Sequence, residues 1–266
     1  MSHDTSMADA ERVADAERAA DAKLAVEIAA EAGALLLDIR ARLSGAEAGA
    51  EGDRAANALI LDRLAISRPN DAILSEERKC DGSRLLVSRV WIVDPLDGTR
   101  EFAEGRDDWA VHVGLTVGGV ATLGAVALPA QQQIFSSGTI AGLASPNKPL
   151  RMVVSRSRPA RQALAIAKQL GAETVPMGSA GAKAMAVVTG QADIYVHSGG
   201  QYEWDNCAPV AVASAYGLHC SRLNGDPLTY NNANPYLPDL LICRSELATP
   251  ILDLLSTLVG IEDNAT

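Results

Sequence analysis

The residues best suited to chemistry lie at positions 91–99, which read Trp-Ile-Val-Asp-Pro-Leu-Asp-Gly-Thr. An apolar run of this kind predicts a buried strand, and it ends at two carboxylates, Asp94 and Asp97. Mg²⁺ prefers such carboxylate oxygens over nitrogen or sulfur ligands. Two carboxylates about 4 Å apart repel by roughly 4 kcal/mol at an effective dielectric constant of about 20, so the pair is expected to hold a cation. The alternative is an acidic turn that caps a helix.

The two residues that follow suit a bound anion. Gly98 lets the backbone approach a ligand closely, because it has no side chain. A helix that begins near Thr99 would direct its unpaired amide N–H groups at an anion. A metal site and a phosphate cradle would then share one loop.

Helices and one short strand are expected before this loop. Apolar residues at helical spacing predict a helix over residues 8–42 and another over residues 55–65. The stretch 45–52 is rich in glycine and alanine and is typical of a loop. A strand at residues 72–75 would present the Glu76-Glu77 pair at its end, beside the carboxylates of the loop.

After the loop, a sheet gives way to alternating strands and helices. Apolar runs on both sides of Gly118-Gly119 predict a hairpin, and a glycine- and proline-rich boundary follows at residues 138–149. We expect strands at 110–117, 120–127, 134–136, 152–154 and 193–197, and helices at 160–170, 181–189 and 206–216.

These elements divide the chain into an extension and two halves. The first 20 residues repeat Ala-Asp-Ala-Glu-Arg and are interpreted as a disordered N-terminal extension. We expect an α+β half, residues 21–145, to carry the loop at 94–99. An α/β half, residues 146–266, would pack on it and carry Trp204-Asp205.

Composition narrows the class of protein. The chain has 266 residues, 48% of them hydrophobic, and a formal charge of −10. That charge argues against a nucleic-acid polymer or an anionic membrane as partner, since both require a basic face. No apolar run approaches the roughly 20 residues that span a bilayer. We therefore expect a cytoplasmic protein that binds a small molecule and assembles as a homodimer. Its scattered cysteines are expected to be free thiols, and its histidines to be packing or surface residues.

The order of the acidic motifs resembles that of a known superfamily. Glu76-Glu77, the string from Asp94 to Thr99, and Trp204-Asp205 resemble the motifs of the Mg²⁺-dependent, Li⁺-sensitive phosphatases of the inositol monophosphatase superfamily. The similarity runs from about residue 20 to about residue 245. It implies a layered αβαβα sandwich of α+β and α/β character, the architecture of the inositol monophosphatases and fructose-1,6-bisphosphatases.

Within that superfamily the chain looks most like the 3'(2'),5'-bisphosphate nucleotidases of the CysQ type, especially the actinobacterial ones. The segments 97–102, 105–109, 155–157 and 178–183 carry this likeness. Inositol-specific enzymes usually read Thr-Asn-Phe after Asp-Gly-Thr, where this chain has Arg-Glu-Phe. They also tend to have a carboxylate seven positions before the Asp of Trp-Asp, where this chain has Ser198.

The resemblance implies roles for the residues at matching positions. One Mg²⁺ would be held by Glu76, Asp94 and the carbonyl of Leu96, and a second by Asp94, Asp97 and Asp205, with two or three ions in all. Asp53, Glu76 and Thr99 would be catalytic, with Asp53 orienting the hydroxyl of Thr99 to take a proton from water. The amides of Gly98 and Thr99 would hold phosphate oxygens. The alternative role for Asp205 is that of a helix cap.

A nucleotide substrate also needs partners for its second phosphate, ribose and base. Guanidinium groups bind phosphate bidentately and stay charged, so basic residues near the loop are candidates, together with two serines. Trp109 would either stack on adenine or belong to the core. The candidate contacts are Arg100, Ser155, Arg156, Ser157, Arg158 and Lys183.

The expected reaction is removal of the 3'-phosphate of 3'-phosphoadenosine 5'-phosphate to give AMP, and of 3'-phosphoadenylyl sulfate, in sulfate assimilation. Hydrolysis of inositol 1-phosphate or fructose 1,6-bisphosphate is the alternative within the superfamily. A nucleotide- and metal-binding sensor without turnover is the alternative of a different class.

Overall fold

Two five-stranded sheets, each with helices on both faces, form the described part of the chain in this computed structural model, which comprises residues 2–78, 82–139 and 142–258. The layers run helix, sheet, helix, sheet, helix. The expected αβαβα sandwich is therefore confirmed. None of the described helices combines the length and apolarity that a bilayer span requires.

The first sheet has its strands in chain order. β1 and β2 are parallel, and the other neighbouring pairs are antiparallel. In the parallel pair Ser75 lies opposite Val93, so the next residues, Glu76 and Asp94, lie side by side where β1 ends. The strands are β1 (Ala72–Ser75), β2 (Arg89–Asp97), β3 (Ala110–Val117), β4 (Val120–Leu128) and β5 (Gln133–Ser136).

The second sheet is mixed, with the order β7-β6-β8-β10-β9. β6 is parallel to both β7 and β8, whereas β10 is antiparallel to both of its neighbours. The sequence patterns predicted β6 and β8 but not the other three strands. The strands are β6 (Arg151–Ser155), β7 (Glu173–Met177), β8 (Ile194–Tyr202), β9 (His219–Ser221) and β10 (Tyr236–Cys243).

The helices supply the three helical layers. α1 and α2 cover the outer face of the first sheet, α5 and α6 lie between the sheets, and α4 and α7 cover the second sheet. All nine residues of α5 are buried, because both of its sides face a sheet. The helices are α1 (Ser2–Arg42), α2 (Gly45–Ser67), α3 (Thr99–Ala103), α4 (Arg161–Leu170), α5 (Ala180–Val188), α6 (Glu203–Ala215) and α7 (Ala248–Thr257).

The middle helical layer approaches the first sheet unusually closely. A Cβ atom added to Gly124 would lie 2.5 Å from the carbonyl oxygen of Ala208, and one added to Gly114 would lie 3.0 Å from the Ala208 nitrogen. Strand glycines thus allow the backbone of α6 to rest directly on the sheet. This contact fixes α6, and hence Asp205, relative to β3 and β4.

The structure differs from the sequence prediction in the N-terminal region. Residues 2–20 belong to α1 instead of forming a disordered extension. Residues 45–52 are the first turns of α2 instead of a loop. Gly52 reflects close packing, since a Cβ there would lie 3.0 Å from Leu36 Cδ2 and 3.1 Å from Leu96 Cδ2.

Helix α6 begins three residues earlier than predicted, at Glu203 instead of Asn206. The carboxylate of Asp205 accepts a hydrogen bond of 2.6 Å from the N–H of Tyr202, which satisfies a free donor at the helix start. Asp205 therefore does serve as a helix-terminus residue, and it faces the other carboxylates at the same time.

Candidate active site

Three carboxylates from two distant segments meet at the end of β2. Asp94 and Asp97 come from the strand itself, and Asp205 comes from the first turn of α6. One oxygen atom of each lies within 4.8 Å of the others. Asp94 and Asp97 are buried, so water screens their repulsion weakly.

Glu76 adds a fourth carboxyl group at the rim. The parallel register of β1 and β2 brings it next to Asp94, whose pKa its charge raises. Glu76 is exposed as a residue, but desolvation of its carboxyl group, together with Asp97 and Glu77, raises its pKa. Two ionised carboxylates side by side repel each other, and a bound cation could relieve that repulsion.

The electrostatic cost of this cluster appears in its pKa values. Burial raises the pKa of Asp94 well above its ordinary value, and the neighbouring Glu76 and Asp97 raise it further. Burial and Asp97 raise the pKa of Asp205 to about 7. The donors are all oxygen, as a hard divalent cation requires. The residues present therefore fit a metal ion such as Mg²⁺.

Asp97 differs from its neighbours because it is surrounded by donors. Burial alone would raise its pKa, but His112, Ser179 and Gly181 lower it to about 2. Its Oδ2 accepts bonds from the Ser179 hydroxyl and, at 2.6 Å, from the Gly181 N–H, and Oδ1 accepts one of 3.1 Å from the Ala180 N–H. The N-terminus of α5 thus holds this carboxylate ionised.

Thr99 and Leu96 lie on the other side of the loop. The Thr99 hydroxyl is 3.2 Å from the Leu96 carbonyl oxygen and 3.4 Å from each carboxylate oxygen of Asp53 in α2. Burial, with Glu77 and Glu76, raises the pKa of Asp53 to about 7. The approach of α2 depends on Gly49, where a Cβ would lie 3.0 Å from Thr99 Cγ2. The predicted pair Thr99 and Asp53 is therefore brought together.

A cavity of about 270 Å³ opens beside Asp97 and Asp205. Most of the predicted substrate contacts line it, and they come from the start of α3, the end of β6 with the loop that follows, and α5. Those predicted residues are Gly98, Thr99, Arg100, Ser155, Ser157, Arg158 and Lys183.

Arg156 differs from the prediction and is not among the residues that line this cavity. Its guanidinium group is paired with Glu101 and Glu104, at 2.8 Å from each. Trp109 belongs to the core: it is fully buried and meets Phe102 edge to face, with ring centroids 4.9 Å apart.

Sequence reasoning missed several residues of the site. Tyr195 and His197 line the cavity, and their alternation along β8 was a signal that both face the same side of the sheet. Ser179 and Gln201 also line it. His112 touches Asp97 from inside the core, at 3.2 Å from Oδ2, and a histidine within an apolar strand was its signal.

The layered fold and the carboxylate cluster at the end of β2 identify the class of protein. The chain belongs to the inositol monophosphatase family, whose model matches residues 11–254.

Among individual proteins, it is 51% identical over 246 residues to the 3'-phosphoadenosine 5'-phosphate phosphatase of Mycobacterium leprae (strain TN), covering 86% of this chain and 90% of that protein. It is 32% identical over 200 residues to the 3'(2'),5'-bisphosphate nucleotidase CysQ of Escherichia coli (strain K12), covering 70% and 80%. Inositol monophosphatase II of Staphylococcus aureus MSSA476 has the same fold, with a TM-score of 0.77 at 21% identity, covering 91% of this chain and 98% of that one.

Proposed function

We propose that this protein is a Mg²⁺-dependent phosphomonoesterase that hydrolyses the 3'-phosphate of 3'-phosphoadenosine 5'-phosphate, and that of 3'-phosphoadenylyl sulfate. The observation that carries the proposal is one cavity lined both by the carboxylates Asp97 and Asp205 and by serine hydroxyls and cations. A substrate with two separate anionic groups fits such a lining. The names of the relatives at 51% and 32% identity support the same substrate class.

In the proposed reaction the oxygen of water attacks phosphorus and the bond from phosphorus to the 3'-oxygen breaks. The 3'-oxygen takes up a proton, and the products are AMP and inorganic phosphate. Two or three Mg²⁺ ions, held by Glu76, Asp94, the Leu96 carbonyl, Asp97 and Asp205, would neutralise charge on the phosphate and activate the water.

Thr99 and Asp53 would handle the proton of the attacking water. The Thr99 hydroxyl would accept that proton as it donates its own to Asp53, whose oxygens are 3.4 Å away. The raised pKa of Asp53, about 7, suits a group that takes up a proton near neutral pH. The amides of Gly98 and Thr99 would hold phosphate oxygens.

The second anionic group of the substrate would lie among the cations of the cavity. Lys183 is buried and donates to the carbonyl oxygens of Gly178, at 2.9 Å, and Ser179, at 2.5 Å. An ammonium group has three donors, so one is left for a ligand. Arg100 and Arg158 would add charge from the exposed side, and Ser155 and Ser157 would bond phosphate or ribose oxygens.

The proposed setting is control of these nucleotides during sulfate assimilation, in the cytoplasm. Cys207, Cys220 and Cys243 are free thiols in the part of the chain that the structure describes, which suits a reducing compartment. The homodimer expected from the sequence stays a prediction.

Phosphate release from 3'-phosphoadenosine 5'-phosphate, inositol 1-phosphate and fructose 1,6-bisphosphate, each with Mg²⁺ and with chelator, tests the proposal. We expect a chelator-sensitive preference of about 100-fold for the nucleotide in kcat/KM, equal to about 2.7 kcal/mol. Comparable rates on all three would instead indicate a broad sugar-phosphate phosphatase. Binding of the nucleotide without release from any substrate would indicate a sensor.

A further inference from the structure

His112 is a buried polar residue to which the sequence assigned no chemical role. It lies in the middle of β3, opposite Asp94 of β2 and Val126 of β4, and it is 0% exposed. A histidine at a fully buried sheet position loses its hydration, so its ring nitrogens need partners within the protein.

Both ring nitrogens of His112 face oxygen atoms of the carboxylate site. Nδ1 is 3.0 Å from the carbonyl oxygen of Trp204, the residue that directly precedes Asp205. Because a carbonyl oxygen only accepts, Nδ1 must be the donor in that bond. Nε2 is 3.2 Å from Asp97 Oδ2, off the line of an ideal hydrogen bond, so the contact is an ion pair when the ring is protonated.

Gly181 in α5 makes the space for this ring. A Cβ atom at position 181 would lie 2.1 Å from His112 Nε2 and 3.0 Å from its Cδ2, so any other residue would displace the imidazole. The N–H of Gly181 donates to the same Asp97 oxygen that the ring contacts. Ring, helix α5 and Asp97 therefore form one packed unit.

The ring connects the two segments that supply the carboxylates. Asp97 is the last residue of β2, and Trp204 and Asp205 lie in the first turn of α6. More than 100 residues separate the two segments in the sequence. Asp97 Oδ2 contacts the start of α5 and His112, whereas within the described residues Oδ1 accepts one hydrogen bond, from the Ala180 N–H. A carboxylate oxygen has two lone pairs, so Oδ1 keeps one for a cation.

We propose that His112 is a positioning residue of the metal centre, which sets the Asp97 carboxylate and the start of α6 at the separation that a bound Mg²⁺ needs. It acts through Asp97 and Trp204 and does not touch the substrate. This inference rests on the metal-dependent activity proposed above, but it concerns metal binding and not the choice of substrate.

The test is calorimetric titration of Mg²⁺ into chelator-treated protein, without substrate, for the parent, His112→Asn and His112→Gln. Each amide can replace only one of the two ring contacts. We expect both variants to bind Mg²⁺ at least 10-fold more weakly, while KM for 3'-phosphoadenosine 5'-phosphate at saturating Mg²⁺ changes less than threefold. His219→Asn is the matched control, because His219 contacts Ser221 in the edge strand β9.

Gly181→Ala supplies a second test that keeps the imidazole but displaces it. We expect the same loss of Mg²⁺ affinity, and partial recovery when His112→Asn is added, because the smaller side chain leaves room for the methyl group. Folding of each variant is checked by thermal unfolding in chelator.

Mg²⁺ affinities within threefold of the parent in folded His112→Asn and His112→Gln would overturn the inference. A parent that binds Mg²⁺ but releases no phosphate from the nucleotide would refute the proposed substrate only. The two failures are therefore distinguishable.

Discussion

The Thr99 hydroxyl lies 3.4 Å from each carboxylate oxygen of Asp53, across the contact between α3 and α2. No short-range contact along the chain produces this pair, since 45 residues separate the two positions. The absence of a side chain at Gly49 and Gly52 lets α2 approach the loop after β2. The pairing gives Thr99 an acceptor for its proton.

Asp53→Asn should lower kcat about 10²- to 10⁴-fold, the usual contribution of a positioned proton acceptor, with little change in KM. Thr99→Ala should have a similar effect, and the double variant should lose little more, because the two residues act in one step. Asp62→Asn, on the exposed face of the same helix, is the control. Retention of more than a third of kcat in Asp53→Asn would contradict the assignment.

The local patterns of the sequence predicted the strands that build the site. β1 and β3 match their predicted ranges, and β2 ends at the expected carboxylates. Such elements are encoded by short-range periodicity and by the Asp-Pro-Leu-Asp-Gly-Thr string, so a single sequence is sufficient to find them.

Contacts between distant segments could not be predicted in this way. The sequence marks Arg156 as a cation near a strand end, but its pairing with Glu101 and Glu104 depends on how α3 packs against β6. Residues 45–52 have the composition of a loop, although they form the first turns of α2, in which Gly49 and Gly52 pack closely against neighbouring segments. The sequence indicated that His112 is a packing residue, because its partners in β2 and α6 are brought to it only by the fold.

Asp94→Asn should abolish turnover and Mg²⁺ binding while stabilising the metal-free protein. The raised pKa of Asp94 means that its ionised form costs stability at neutral pH, and the amide removes that charge. In chelator, relief of about 1 kcal/mol would raise the melting temperature by about 2–4 °C. Differential scanning calorimetry with chelator and with Mg²⁺ measures both effects. An active variant, or one whose melting temperature still rises with Mg²⁺, would contradict the metal assignment.

Arg158→Ala should raise KM for a substrate with two phosphates more than for a substrate with one. Arg158 lines the exposed side of the cavity, so its loss should raise KM for 3'-phosphoadenosine 5'-phosphate about tenfold, or about 1.4 kcal/mol. Adenosine 3'-phosphate lacks the second phosphate, and its KM should change less than threefold. Lys168→Ala in α4 controls for net charge, because Lys168 is exposed and is not part of the cavity lining. Equal changes in KM for the two substrates would show that Arg158 does not bind the second phosphate.

Asp239 should make the stability of the second sheet depend on pH. Arg222 binds both carboxylate oxygens of Asp239 at 2.7 Å, and the Leu223 N–H donates to one of them at 2.8 Å. Burial would raise the pKa of Asp239, but these donors together hold it below its ordinary value. A depressed pKa in the folded state contributes stability above the unfolded pKa of about 3.9, and this contribution is lost as pH falls through the folded pKa.

Asp239→Asn should therefore lower the free energy of unfolding by about 1–2 kcal/mol at pH 7. This is less than a fully buried hydrogen bond to a charged group would contribute, because the side chains of Arg222 and Asp239 are both partly exposed. The difference from the parent should shrink as the pH falls below about 4, where the parent carboxylate also becomes protonated. Urea unfolding from pH 7 to pH 3 measures the two curves, with Asp253→Asn, exposed in α7, as the control. A difference that is constant over this range would show that the bonds to Asp239 stabilise through packing and not through its charge.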